Sequence, residues 1–214
     1  MIRFLNFNFL LLMSSLIFKK YIRYTSLNSW AVSVSSVIST NSMLSTISTV
    51  SPSYTDMIST TYIGKDIIGQ LGGLYYSFKT SQKADKQPNK YIKNGALLCQ
   101  LSFFIENSTP LIKNPDFILP FLGFSSFLKN ISFISIGAVN ASNLQKLSLE
   151  NKNIGESYSK IASLNTLAST AGMITGIFIL NLIPSYTVRT VFFLPILSFI
   201  SVFSLKKATD LLQK

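Results

Sequence analysis

The residues able to do chemistry in this chain are few, and their types narrow that chemistry at once. The 214 residues include no histidine and a single cysteine, Cys99. Disulfides within the chain, histidine-based triads, histidine general bases and the usual zinc sites therefore have no residues to build them. Two ionisable residues, Glu106 and Lys129, stand inside apolar runs. Charges placed inside membrane segments tend to pair with each other and to mark functional positions. A second group is Lys65-Asp66, which opens a stretch holding Gly69, Gln70, Gly72 and Gly73. Glycines at that density let a helix, a lipid or a ligand come close to the backbone. A phosphate can use Lys65 with backbone N–H groups near Gly69, although a lysine beside glycines is far more often structural. The spacing fits neither a Walker loop nor a dinucleotide fingerprint. Further along, Glu156 precedes Lys160 by one helical turn, and Gly172 precedes Gly176 in a small-xxx-small pair of the kind that marks helix packing. No cofactor is assigned by these residues.

The elements that must position them are apolar and poor in charge. Hydrophobic residues make up 48% of the chain and charged residues 13%, and the mean hydropathy is +0.39. A soluble domain carries roughly 25% charged residues, so the composition favours a polytopic membrane protein over a soluble one. The formal net charge of +11 raises nucleic acid as a partner. The lysines, however, stand singly between hydrophobic runs, with no basic stripe interleaved with aromatics. Membrane loops account for them better, so the bilayer is the expected partner and nucleic acid is not.

Taken in order, residues 1–24 hold an apolar run from Phe4 to Phe18 flanked by Arg3, Lys19, Lys20 and Arg23, with no acidic residue before Asp56. That pattern fits a targeting segment or a first membrane helix. Residues 29–55 are rich in Ser and Thr, with Val34, Val37, Ile38, Leu44 and Ile47 recurring near helical spacing, which suits a helix packed closely on neighbours. Pro52 ends that run. A helix is expected from Gly64 to about Lys79, then a polar loop over 80–93. Apolar segments follow at 94–112, 117–139, 161–183 and 190–205, with a short turn bracketed by Pro110 and Pro115 and a polar connection over 140–160. The tail from 206 is basic. The expected architecture is all-α, with roughly four to six apolar helices joined by short lysine-bearing loops.

Three blocks resemble the root UV-B sensitive family, eukaryotic proteins with a membrane-associated core domain. Val37-Ile38-Ser39-Thr40-Asn41-Ser42-Met43-Leu44 is similar to that family's V-L-S-T-Q-A-L-L block. Lys65-Asp66-Ile67-Ile68-Gly69-Gln70-Leu71-Gly72 is similar to its K/R-D-G-I-G-Q-L-G signature, the most specific of the three. Asn153-Ile154-Gly155-Glu156-Ser157-Tyr158-Ser159-Lys160 resembles N-M-A-D-V-S-A-K, continued by Ser163, Thr166 and Leu167. Between them, Asp85 with Pro88 and Glu106 with Pro110 fall where the family has D-x-x-P and E-L-L-T-P, and Lys129 falls where lysine is common. The likeness covers roughly residues 35–183. Two departures stand out: Asn89-Lys90-Tyr91-Ile92 replaces a basic-aromatic K-R-W-R, and Asn140 stands at the arginine of G-A-T-R-A. The resemblance implies a helical membrane protein, organellar in many members (plastid-like, mitochondrial or endomembrane), linked in plants to light responses, auxin transport and vitamin B6 homeostasis. No reaction is attached to the family. A non-enzymatic protein that scaffolds partners or moves a small solute is the first expectation. A pyridoxal phosphate-handling protein or enzyme is the alternative. Another family member or a second copy of the chain is a candidate partner.

Four crossings by the apolar segments put ten basic residues on one side: Lys83, Lys86, Lys90, Lys93, Lys146, Lys152, Lys160, Lys206, Lys207 and Lys214. Only Lys113 and Arg189 face the other, so the positive-inside rule fixes the orientation. Measured from the basic side, Glu106 lies about 18 Å deep and Lys129 about 15 Å at 1.5 Å per residue. Antiparallel neighbours joined by a short turn then bring the two charges together.

Overall fold

The computed structural model describes residues 16–50, 55–84, 86–151 and 153–213. Six long helices carry the described chain: α1 Leu16–Val50, α2 Thr55–Ala84, α3 Pro88–Asn107, α4 Ile118–Asn151, α5 Ile154–Leu182 and α6 Leu194–Asp210. No strand occurs among the described residues, as an all-α chain requires. Pro52, Asp85, Lys152, Lys214 and the run from Phe4 to Ser15 lie outside the described residues.

The helices run alternately up and down. α1 and α5 lie parallel along one side, α2 and α4 lie parallel along the other, and α3 and α6 fill the space between. Every end that meets the short connections at 85–87 and 152–153 therefore falls at one end of the bundle, together with the start of α1 and the end of α6. There Phe18, Tyr21 and Ile22 of α1 pack on Leu147 of α4 and Ala208 of α6. Residues 16–24 thus form the first turns of α1, with one face, Phe18, Tyr21 and Ile22, in the core. Lys19, Lys20 and Arg23 accordingly join the lysine-bearing end, adding to the charge asymmetry.

Three boundaries correct the sequence expectation. The described residues of 80–93 and 140–160 are helix except at 86–87 and 153. The basic tail from 206 is the last turn of α6, with Ala208 and Thr209 buried. Hydropathy falls where a helix leaves an apolar environment, but the helix ends only where its backbone is capped. Pro88 starts α3 at a position where no N–H is needed. Asn153 caps α5, its Oδ1 accepting from the Glu156 N–H at 3.2 Å. The Pro110 and Pro115 turn is a pair of short 3₁₀ turns, Thr109–Leu111 and Pro115–Phe117. Ahead of α6, Arg189–Phe193 widens into a π-helical turn. Pro195 follows within that reach, and its ring, which crowds the carbonyl four residues back, is a physical cause for the widening.

Three helical stretches are long and apolar enough to cross a membrane: Pro115–Leu147, Ile154–Leu182 and Tyr186–Asp210. α3, expected as a crossing over 94–112, is not among them. It carries Gln100, Ser102, Glu106 and Asn107, all buried, and α1, α4 and α6 enclose it. A helix sheathed by other helices can be polar because its partners satisfy it. By contrast, α5 buries only 11% of its apolar window within the chain, leaving Leu167, Ile174, Ile177 and Phe178 exposed.

Candidate functional site

The glycine-rich signature belongs to α2, which packs extensively on α4 alone, at the edge of the bundle rather than at its centre. Gly69, Gly72 and Gly73 face α4: a Cβ at Gly69 would stand 2.5 Å from the Asn130 side chain, and one at Gly72 would stand 2.1 Å from the Phe127 ring. The glycines thus serve close approach, and Gly69 lies in the middle of a 30-residue helix. Its neighbouring N–H groups are spent on the helix ladder, so the phosphate cradle considered for Lys65 and Gly69 does not exist. Lys65 is itself occupied. Its Nζ bonds Asp66 Oδ1 at 2.9 Å and sits 4.7 Å from the centre of the Tyr62 ring. Asp66 and Gln70 are exposed on the outer side of α2.

Glu156 and Lys160 form an ion pair one turn apart, at 2.6 Å, in the first turns of α5. With the Asn153 cap this is helix-start chemistry: a carboxylate near the positive end of the dipole and an i,i+4 partner. Gly172 and Gly176 meet α1, the first against the Trp30 carbonyl and Ser33, the second against Val37. Neither pair is among the residues that line the cleft beside Lys129.

Glu106 and Lys129 do come together. Lys129 Nζ lies 2.6 Å from Glu106 Oε1, with the carboxylate side chain 3% exposed and the lysine side chain 19% exposed. Ser39 donates to the second carboxylate oxygen at 3.2 Å. The Lys129 ammonium also stands 4.9 Å from the centre of the Phe103 ring, a cation–π distance. Next to this pair, Asn107 accepts from Ser42 at 2.5 Å and donates to Thr190 Oγ1 at 2.6 Å, tying α3 to α1 and to the turn before α6. Arg189 donates to Asn41 Oδ1 at 3.3 Å, while its buried Nε has no hydrogen-bond partner among the described residues. Such a network is costly when incomplete and specific when satisfied.

The network opens on a cleft of about 500 Å³ between α1, α4 and α5. Lys129 lines it on one wall and Ser36, Thr40 and Asn41 on another, while Phe103, Phe133 and Met173 give it apolar surface. The side of Lys129 not taken by Glu106 is therefore the cationic feature of a largely apolar cleft. An amphipathic small molecule with an anionic group matches that lining. The serines of α1, read from sequence only as packing residues, supply the cleft's hydroxyls and bind neighbouring helices. Examples are Ser33 with Ser169 at 2.6 Å and Ser26 with Asn165 at 3.1 Å. Their spacing gave the helix, but nothing local identified these partners.

The family model described as the vitamin B6 photo-protection and homoeostasis domain matches residues 15–213, nearly the whole described bundle. The chain belongs to the root UV-B sensitive family. No curated protein and no solved structure matches it. Within the family pattern, the V-L-S-T block of α1 forms the wall that holds Ser39 and Ser42 against Glu106 and Asn107, and the K/R-D-G-I-G-Q-L-G block forms the glycine face of α2. Asn140, at the family's arginine position, lines a second cavity of about 400 Å³ between α1, α4 and α5, where it accepts from the Tyr21 hydroxyl at 3.4 Å.

Proposed function

We propose that this member of the root UV-B sensitive family is a non-enzymatic integral membrane protein that holds or moves a small amphipathic solute in an organellar membrane. The observation that carries this reading is the ion pair of Glu106 and Lys129 on the wall of the α1–α4–α5 cleft. A charged pair is expensive to bury in an apolar bundle, and a ligand-binding role gives a reason to keep it. Three spanning-length helices and the exposed apolar faces of α2, α5 and α6 support the membrane setting. The non-enzymatic part of the reading rests on the residue set. The sequence has no histidine, and its one cysteine is buried.

A vitamin B6 compound is the natural first probe, because the family model carries that word in its description. The flat ring of a pyridoxal has Phe103 and Phe133 to lie against, and its phosphate has Lys129. In proteoliposomes, the chain is expected to accelerate uptake of pyridoxal or pyridoxal phosphate. Thr40→Leu, which fills the cleft with an apolar group, should abolish that uptake without lowering the melting temperature. Uptake unchanged by Thr40→Leu removes the cleft from the path. Binding of pyridoxal phosphate with turnover and no uptake would instead favour the cofactor-handling alternative. Orientation is checked separately by labelling Lys20→Cys, Lys86→Cys and Lys113→Cys in intact vesicles. The first two should react from one face and the third from the other.

A further inference from the structure

The basic end of the bundle holds a cavity that the solute reading leaves unused. It is about 700 Å³ and lies where the start of α1, the start of α3 and the end of α6 meet. Lys20 and Arg23 of α1 and Lys207 of α6 line it, with Asp210 as the one acidic group on its wall. Among the described residues none of the three cations has an acidic partner at ion-pair distance, whereas Lys65, Lys129 and Lys160 each have one. Three cations converging on one concavity against a single carboxylate repel one another unless an anion joins them.

We propose that this cavity binds a phosphate-bearing anion. Its α1 wall also carries a gradient of polarity, the lining residues running from Lys20 through Arg23 and Tyr24 to Leu27, about 10 Å inward at 1.5 Å per residue. Beyond the cavity's lining, the inward neighbours of Lys207 along α6 are the exposed, stacked rings of Phe203 and Phe199, and the Lys207 ammonium lies 5.6 Å from the Phe203 ring centre. Charge outside and apolar surface inside is the order of a phospholipid, headgroup then acyl chain. Basic pockets between helices on the positive side of a membrane are suited to such headgroups. A free phosphate ester would use the same cations without the apolar wall. The site is remote from the Glu106–Lys129 cleft and stands or falls independently of it.

The test uses the full chain in phosphatidylcholine nanodiscs, alone, doped with cardiolipin, or titrated with inorganic phosphate, reading melting temperature and lipid retention by native mass spectrometry. Cardiolipin raising the melting temperature, with phosphate inert, assigns a lipid headgroup. Phosphate alone doing so assigns a soluble anion. Lys20→Gln, Arg23→Gln and Lys207→Gln should each weaken binding about fivefold, from roughly 1 kcal/mol per cation. Asp210→Asn should tighten it. Lys206→Gln, a neighbouring cation that does not line the cavity, should change it less than twofold. The proposal is overturned if neither anion has an effect. It is equally overturned if Lys206→Gln weakens binding as much as Lys207→Gln, which would reduce the effect to the general charge of that end.

Discussion

Reversing either charge of the Glu106–Lys129 pair should destabilise the folded protein by more than about 3 kcal/mol, and reversing both should recover at least half of that loss. The size follows from burial. Glu106 is 2% exposed, so a lysine at 129 changed to glutamate leaves the buried carboxylate facing a like charge with its paired cation gone. Glu106→Lys alone has the mirror consequence, with two ammonium groups at the distance now spanned by a 2.6 Å bond. The double swap, Glu106→Lys with Lys129→Glu, restores opposite signs. It also keeps a role for Ser39, whose hydroxyl now donates to the carboxylate and can accept from an ammonium instead. Recovery should be partial, because the Lys129 ammonium loses its place over the Phe103 ring. Unfolding in detergent, followed for both single variants and the double, measures the coupling directly. If the double swap is no better than the sum of its parts, the pair contributes nothing to the fold.

The second large effect is expected at Gly172, where even alanine should cost about 1–3 kcal/mol and leucine more. A Cβ there would stand 2.5 Å from the Trp30 carbonyl oxygen and 2.9 Å from Ser33 Cβ. A carbonyl in a helix cannot rotate away, so α1 and α5 must separate. The Ser33–Ser169 bond and the Trp30 indole N–H to Thr175 bond would stretch with them. Gly72 meets the Phe127 ring instead, which has some freedom to turn, whereas Gly176 meets Val37 Cβ at 2.8 Å, an atom that no side-chain rotation moves. Alanine at Gly72 should therefore cost less than at Gly172, while leucine should lower accumulation at all three. Gly137 supplies the internal comparison. Nothing lies within 4 Å of its would-be Cβ, because it borders the second cavity. Gly137→Ala should be neutral or should gain up to about 1 kcal/mol of helix propensity. A Gly172→Ala protein that melts with the wild type would mean the two helices do not touch there.

The Glu106–Lys129 contact was legible because it depends on few variables. Two apolar segments joined by a short turn must run antiparallel, and residues at matched depths then meet. The carboxylate's other partner was not legible in this way. Ser39 lies 67 residues from Glu106, and α1 runs beside α3 only because α5 and α6 leave it that position. The same holds for the glycines. Their density announced a close approach, but whether to lipid, ligand or helix depended on which element lay opposite. The phosphate reading failed on a local fact that sequence spacing hid: helix α2 continues through Gly69, so its N–H groups are spent.

Composition and periodicity by themselves determined the helical class, the apolar segments and the gathering of lysines towards one end, since each depends on side-chain chemistry summed along the chain; the family likeness rested instead on three short motif blocks. Helix limits escaped them because a helix ends at a backbone cap such as Asn153 and not at a change of hydropathy. Only the tertiary structure decided that α3 is sheathed by its neighbours, that α2 is peripheral, and that Lys20, Arg23 and Lys207 share one cavity. Those outcomes depend on which faces of distant helices meet, and packing settles that through contacts between residues from tens of positions apart, as Ser135 with Tyr76, to well over a hundred, as Ser201 with Asn28, which no local pattern encodes.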